Sequence, residues 1–177
     1  MALDSDLVRV AVTGAVYVAP TSTSAPTTSS SALDAGFVDL GYVSADGIAE
    51  SIDRSTNQIR AWQNGSLVRE VTSEGTYSVS MTFIETSEAV LELYYGTTNA
   101  SGEFAIDPTS TGGRKSFVID VVDGATVERI YIPAGEITSL GERTLASGEA
   151  VGYEVTITAY ADAGSTTVTK WFSSLEA

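Results

Sequence analysis

The run Thr76-Tyr77-Ser78-Val79-Ser80-Met81-Thr82-Phe83 decides the fold class. Tyr77, Val79, Met81 and Phe83 alternate with Thr76, Ser78, Ser80 and Thr82, a period of two that sets bulk on one face of a strand and small hydroxyls on the other. Val151, Tyr153, Val155 and Ile157 repeat the pattern against Glu154, Thr156 and Thr158. Working outward, Asn64-Gly65 supplies the left-handed backbone of a tight hairpin turn, with Leu67 to Val71 as the returning strand. Asp123-Gly124 marks a second hairpin between Phe117 to Val122 and Thr126 to Ile132. Leu7 to Val18 reads as one long strand with a bulge at Gly14 or as two short ones. Phe37 to Val43 runs into a turn at Asp46-Gly47, and Glu136 to Leu140 and Thr166 to Phe172 supply further strands.

One helix interrupts this pattern. Thr86 or Ser87 serves as its N-cap, Glu88 suits the positive end of its dipole, and Gly96 lies just past its end. Val90, Leu93 and Tyr94 form its buried stripe. The chain of 177 residues suits a single domain spanning 1–177. The expected fold is mainly β, with about nine or ten strands. It is a β-sandwich or barrel-like domain with one flanking α-helix at about 86–95 and a long loop at about 20–35.

Composition narrows the chemistry. With 22 serines, 22 threonines and 43% hydrophobic residues, the chain is hydroxyl-rich and still able to build a core. It contains no cysteine and no histidine. That removes disulfides, thiolate zinc sites, cysteine nucleophiles and every triad with an imidazole base. Neither a G-x-G-x-x-G nor a P-loop run occurs. The net charge of −14 opposes any grip on nucleic acid or on anionic membrane. No apolar stretch approaches the ~20 residues of a membrane span, and the acidic opening Met-Ala-Leu-Asp-Ser-Asp-Leu is unlike a secretory signal, so the chain is expected to be made and kept in cytoplasm.

Paired carboxylates are the one catalytic device left, and Asp120 with Asp123 or Glu50 with Asp53 could be nominated. In a chain with 23 acids such spacings arise by chance, and Asp123 already has a turn role. Trp62 and Trp171 sit in strand-like contexts that favour core packing over sugar binding. No calcium loop of the D-x-[DN]-x-[DN]-G type is present. Gly112-Gly113-Arg114-Lys115 could form a phosphate nest, although a solvated loop or a salt-bridge donor is the commoner use. No catalytic residue, metal ligand or cofactor is expected.

The tract Pro20 to Ser31 holds only small, hydroxyl and proline residues, so its composition gives it no reason to fold alone. Its length exceeds a simple connector. It is read as a mobile excursion that is either a flexible loop or a segment used to touch a partner, and Pro20, Thr21, Thr23, Pro26, Thr27, Ser30 and Leu33 are the candidate residues of an inter-subunit or inter-ring contact.

Leu40-Gly41-Tyr42-Val43-Ser44-Ala45-Asp46-Gly47-Ile48-Ala49-Glu50-Ser51, continuing through Ile59-Arg60-Ala61-Trp62-Gln63-Asn64-Gly65 and Val68-Arg69, resembles the major tail tube proteins of long-tailed bacteriophages, most closely those of actinobacterial phages. The likeness extends to Val12-Thr13-Gly14-Ala15-Val16-Tyr17-Val18-Ala19-Pro20 and to Thr82-Phe83-Ile84-Glu85-Thr86 with the helix that follows. It implies six-membered rings stacked into a hollow tube, with one sheet of each subunit joining its neighbours around a lumen that conducts DNA during ejection. It implies as partners other copies of the chain and the tape measure, tail terminator and distal tail proteins, with viral DNA passing unbound and no membrane involved. The location implied is the virion tail, after synthesis in the host cytoplasm. Within that reading the candidate lumen-facing residues are Glu50, Ser78, Ser80, Thr82, Glu154, Thr156 and Thr158. Parity is clean for Glu154, whereas Glu50 shares its parity with Ile48 and Ile52 and needs a bulge or a two-sided strand. The rival from another class is a β-sandwich surface, adhesion or virion decoration module.

Overall fold

The computed structural model describes residues 7–176. Its strands are β1 (Thr13–Pro20), β2 (Val38–Asp39), β3 (Val43–Arg60), β4 (Leu67–Phe83), β5 (Lys115–Asp123), β6 (Thr126–Leu140), β7 (Tyr153–Tyr160) and β8 (Thr169–Phe172), with one helix, α1 (Glu88–Tyr95). All pairings are antiparallel, in the order β2-β1-β5-β6-β7-β4-β3, with β8 joined to β6. The path is open, so the sheet is not a closed barrel, and it is consistent with a sandwich-like fold.

The alternation in β4 and β7 builds the core as its period requires. Tyr77, Val79, Met81 and Phe83 pack with Tyr153, Val155 and Ile157, and the sheet folds over to add Val16 and Val18 of β1, Phe117 and Ile119 of β5, and Ile130 and Ile132 of β6. Helix α1 adds Val90, Leu93 and Tyr94 to the same core. Ser87 is its N-cap, accepting a hydrogen bond from the Val90 amide, and Gly96 ends it in the left-handed region at φ 63°. Tyr94 and Tyr153 meet edge to face at 5.4 Å, which seats the helix against β7.

Several strand assignments change. Among the described residues eight strands replace the expected nine or ten, because Leu67 to Val71 and Tyr77 to Phe83 belong to one strand, β4, and Glu136 to Leu140 is the far half of β6. Asp46-Gly47 does not turn the chain: it is a bulge inside β3, where pairing with β4 shifts between Val43 and Ile48 and Gly47 takes φ 73°. Gly14 is not a bulge either; it stays in register opposite Val121, and glycine is needed there because a Cβ would strike the Asp120 carbonyl. Residues 7–12 precede β1 instead of extending it as a strand.

Candidate assembly surfaces

Three features lie outside the core: a polar wall, an arm and a covered loop. The wall follows from register. Ser78 pairs with Thr158, Ser80 with Thr156 and Thr82 with Glu154, and directly paired residues share a face, so these six sequence candidates lie together. Ser51 opposite Ser78 extends the face onto β3, and Glu136 opposite Thr158 extends it onto β6. A hydrogen bond of 2.7 Å joins the Thr138 and Thr158 hydroxyls. Asp53, Glu136 and Glu154 give the wall its charge. Arg114 borders it, with its guanidinium 4.4 Å over the Tyr160 ring and 3.9 Å from Glu136.

Glu50 does not join them. It pairs with Val79 and therefore lies on the opposite face, along with Ile48 and Ile52, so the two-sided reading of that strand is the one realised. There Lys170 of β8 bonds it and also donates to Glu128 at 3.1 Å. Burial would lower the Lys170 ammonium, but the hydrogen bonds it donates to Glu50 and Glu128, with their charges, outweigh it and hold the group above its ordinary value. Burial and the adjacent Glu50 charge push the Tyr77 phenol up. Glu50 thus belongs to a clamp between β3, β6 and β8.

The arm is the outer part of the β3–β4 hairpin. From Ser51 to Arg60 and from Leu67 to Thr76 every residue is exposed. At about 3.3 Å per residue, the ten steps from Ile52 to Trp62 carry the tip roughly 33 Å outward. Asn64 and Gly65 turn the chain with φ 58° and 63°, as their sequence requires. Trp62, expected in the core, is 96% exposed at this tip, and Ile59, Leu67 and Val68 are exposed around it. Arg54, Arg60 and Arg69 share the arm with Asp53, Glu70 and Glu74, and none of the three arginines forms an ion pair among the described residues.

The loop is not a free excursion. Arg129 of β6 grips Asp120 of β5 bidentately, Nε to Oδ1 at 2.7 Å and Nη2 to Oδ2 at 2.8 Å. Its remaining nitrogen, Nη1, donates to the carbonyls of Thr28 at 3.2 Å and Ser31 at 2.6 Å. Ser29, buried, donates its amide and its hydroxyl to the two oxygens of Glu176, each at 2.7 Å, and these bonds hold that carboxyl below its ordinary range. Pro26 is buried, Thr23 and Leu33 are half-buried, and Thr21, Thr27 and Ser30 are exposed, while Pro20 ends β1. The partners that fix the tract lie 101 and 147 residues away in sequence, which is why its composition hid them.

The nominated carboxylate pairs are dispersed, because residues three apart in a strand point to opposite faces. Asp120 faces Arg129, and Asp123 accepts the Val10 amide at 3.1 Å. Among the described residues no cluster of three or more potential ligands could hold a metal ion, and no helix is long and apolar enough to cross a membrane.

A sequence profile of the family described as phage tail tube protein matches residues 1–176. The chain belongs to the phage tail tube protein family. A tail tube protein is a structural component, not an enzyme. No curated protein matches it in sequence. Among solved structures, the tube-terminating cap of the anti-feeding prophage is similar at a TM-score of 0.51 and 14% identity, over 96% of this chain and 98% of the other. A chain from the extended sheath-tube complex of an extracellular contractile injection system, PVC, is similar at a TM-score of 0.50 and 8% identity, over 94% and 93%. At those identities the likeness concerns the fold, which this tail tube protein shares over nearly its whole length.

Proposed function

We propose that this tail tube protein is the repeating subunit of a long-tailed phage tail, forming six-membered rings that stack around an acidic channel for DNA. The supporting observation is the polar wall together with the edge at which it ends. β3 closes one side of the sheet, and its outer edge is unpaired among the described residues over eighteen positions. A long open edge is an aggregation hazard unless something pairs it. Pairing it with the next subunit extends the wall of Ser78, Ser80, Thr82, Glu154, Thr156 and Thr158 around a lumen. Small hydroxyls give DNA no large side chain to catch on, and Asp53, Glu136 and Glu154 repel its phosphates.

In this reading the chain works in the virion tail after synthesis in the host cytoplasm, and the resemblance points to phages of actinobacterial hosts. Its partners are its own copies, the tape measure protein inside the tube, and the terminator and distal tail proteins at its ends. The folds it is similar to come from a tube-terminating cap and a sheath-tube complex, which suits that setting. Negative-stain microscopy of concentrated protein tests the reading, with hollow rings or tubes expected. A monomer at every concentration by light scattering, with no rings even beside tail-tip initiator proteins, would refute it.

A further inference from the structure

The turn that closes the arm carries a chemistry that turning the chain does not use. Asn64 and Gly65 are exposed, with φ 58° and 63°, and a Cβ placed on Gly65 would meet nothing within 4 Å. The Ala61 amide donates to the Ser66 carbonyl at 2.8 Å, the Ser66 amide and hydroxyl donate to the Gln63 carbonyl at a long 3.4 Å each, and Arg60 Nη1 donates to the Gly65 carbonyl at 3.2 Å. None of these bonds engages the Gly65 amide or the Asn64 carboxamide, and no other hydrogen bond among the described residues does. The two other asparagines are guarded. Asn99 donates from Nδ2 to Glu88 at 2.8 Å and accepts the Gly102 amide on Oδ1 at 2.7 Å, and the amide that follows it, of Ala100, donates to the Glu103 carbonyl at 3.0 Å. Asn57 lies inside the β3–β4 ladder opposite Val71, with Gln58 next to it opposite Glu70.

We infer that Asn64-Gly65 is a self-modification site, at which the folded chain converts its own asparagine to isoaspartate and aspartate. The Gly65 nitrogen gives its proton to solvent base and attacks Cγ of Asn64. The N–Cγ bond forms, the Cγ–Nδ2 bond breaks, and Nδ2 leaves as ammonia with a proton returned from solvent, closing a succinimide ring. Water then opens the ring at either carbonyl, so that overall one water enters and one ammonia departs. A free amide nitrogen next to a carbon without a side chain is the least hindered nucleophile a backbone offers. Exposed hairpin tips also open locally at little cost in free energy, which lets Cγ reach that nitrogen. Each conversion takes the net charge from −14 to −15, and isoaspartate lengthens the main chain of the turn by a methylene. A carboxylate then stands two residues from the exposed Trp62, so the tip of an old subunit differs chemically from that of a fresh one. This chemistry needs only the single chain and holds whatever that chain assembles into.

Cleavage after arginine separates the three asparagines, since Asn57 falls in peptide 55–60, Asn64 in peptide 61–69 and Asn99 in peptide 70–114. The full chain is kept dilute and folded at neutral and mildly alkaline pH. Samples taken over time are digested, weighed, and treated with an isoaspartate methyltransferase and labelled S-adenosylmethionine. The expected result is a gain of about 1 Da and methyl label in peptide 61–69, quickening as the pH rises, at a rate at least about tenfold above the other two peptides. Asn64→Gln, whose longer side chain closes a ring less readily, should remove the label while the β circular-dichroism signal stays unchanged. In urea, conversion of Asn57 and Asn99 should quicken while that of Asn64 changes little. Three results overturn the proposal: conversion of Asn64 no faster than of Asn57 or Asn99, label that survives Asn64→Gln, or a rate at Asn64 more than about tenfold slower in the folded chain than in urea, which would mean that the turn shields it.

Discussion

Replacing Arg129 by methionine tests whether the long loop is held by the body of its own subunit. The substitution keeps an apolar stem and removes the guanidinium. Two hydrogen bonds to Asp120 and those to the Thr28 and Ser31 carbonyls go with it. The Arg129 and Asp120 side chains are only 7% and 14% exposed, so solvent screens the pair little and cannot readily replace the lost partner. Removing one member of a buried pair leaves the other charge uncompensated, at a cost of about 3–5 kcal/mol. For a domain of this size each kcal/mol lowers the melting temperature by roughly 2–4 °C, so a drop of about 6–20 °C is expected. Asp120→Leu combined with Arg129→Met removes the orphaned carboxylate and should recover about half of the loss. Thermal unfolding by circular dichroism gives the first number. Limited proteolysis gives the second, with new cleavage between Thr21 and Leu33 in the single variant. A melting temperature within 2 °C of wild type, with the loop equally resistant, would refute the argument.

Gly135→Ala should lower stability by about 1–3 kcal/mol in thermal or urea unfolding, since overpacking a close core carries that cost; the new Cβ would lie 2.8 Å from Phe117 Cδ2 and 2.9 Å from Ile157 Cγ2. The Glu176 carboxyl is held below its ordinary value of 4.5, so its contribution is present above that pH and fades as the pH falls through the lower, folded value. Cleavage near Ser29 should therefore quicken as the pH drops below about 4.5, and Glu176→Gln should remove that dependence. Glu154→Lys places a cation on the polar wall of every copy. Phage carrying it should eject DNA more slowly at low salt and recover at high salt, and unchanged ejection at both would place Glu154 away from the channel or make channel charge irrelevant.

What could be read in the sequence was local. Asn64-Gly65, the caps Ser87 and Gly96, and the alternation of Tyr77 to Phe83 and Tyr153 to Ile157 each carry their geometry in adjacent residues, and each lies where expected. Six of the seven wall candidates were grouped by parity alone, and Glu50 fell out because it shares its face with Ile48 and Ile52, opposite Val79. The arm was hidden because Ser51 to Gly75 scatters Ile52, Ile59, Leu67, Val68 and Val71 among polar residues without a sustained alternation, so nothing marks its strands as one ladder. Trp62 misled for a related reason: a tryptophan in a strand pattern suggests a core, and only register shows that the strand has already left it. The loop was hidden because Arg129 and Glu176, its anchors, are brought to it by the sheet and the chain end.

Gly75 acquires a mechanical meaning from its position. It faces Arg54 where the hairpin leaves the body, with open space where a side chain would be, and β4 carries one extra residue, Ser73, two positions farther along. A bare backbone next to a bulge is a soft point in the ladder at the root of the arm. In a stack of such subunits, bending would therefore concentrate at this joint, with hydrogen bonds on either side left intact. A tube built as proposed would then flex as a chain of sprung rings, its curvature absorbed by one joint per subunit while the bore keeps its shape.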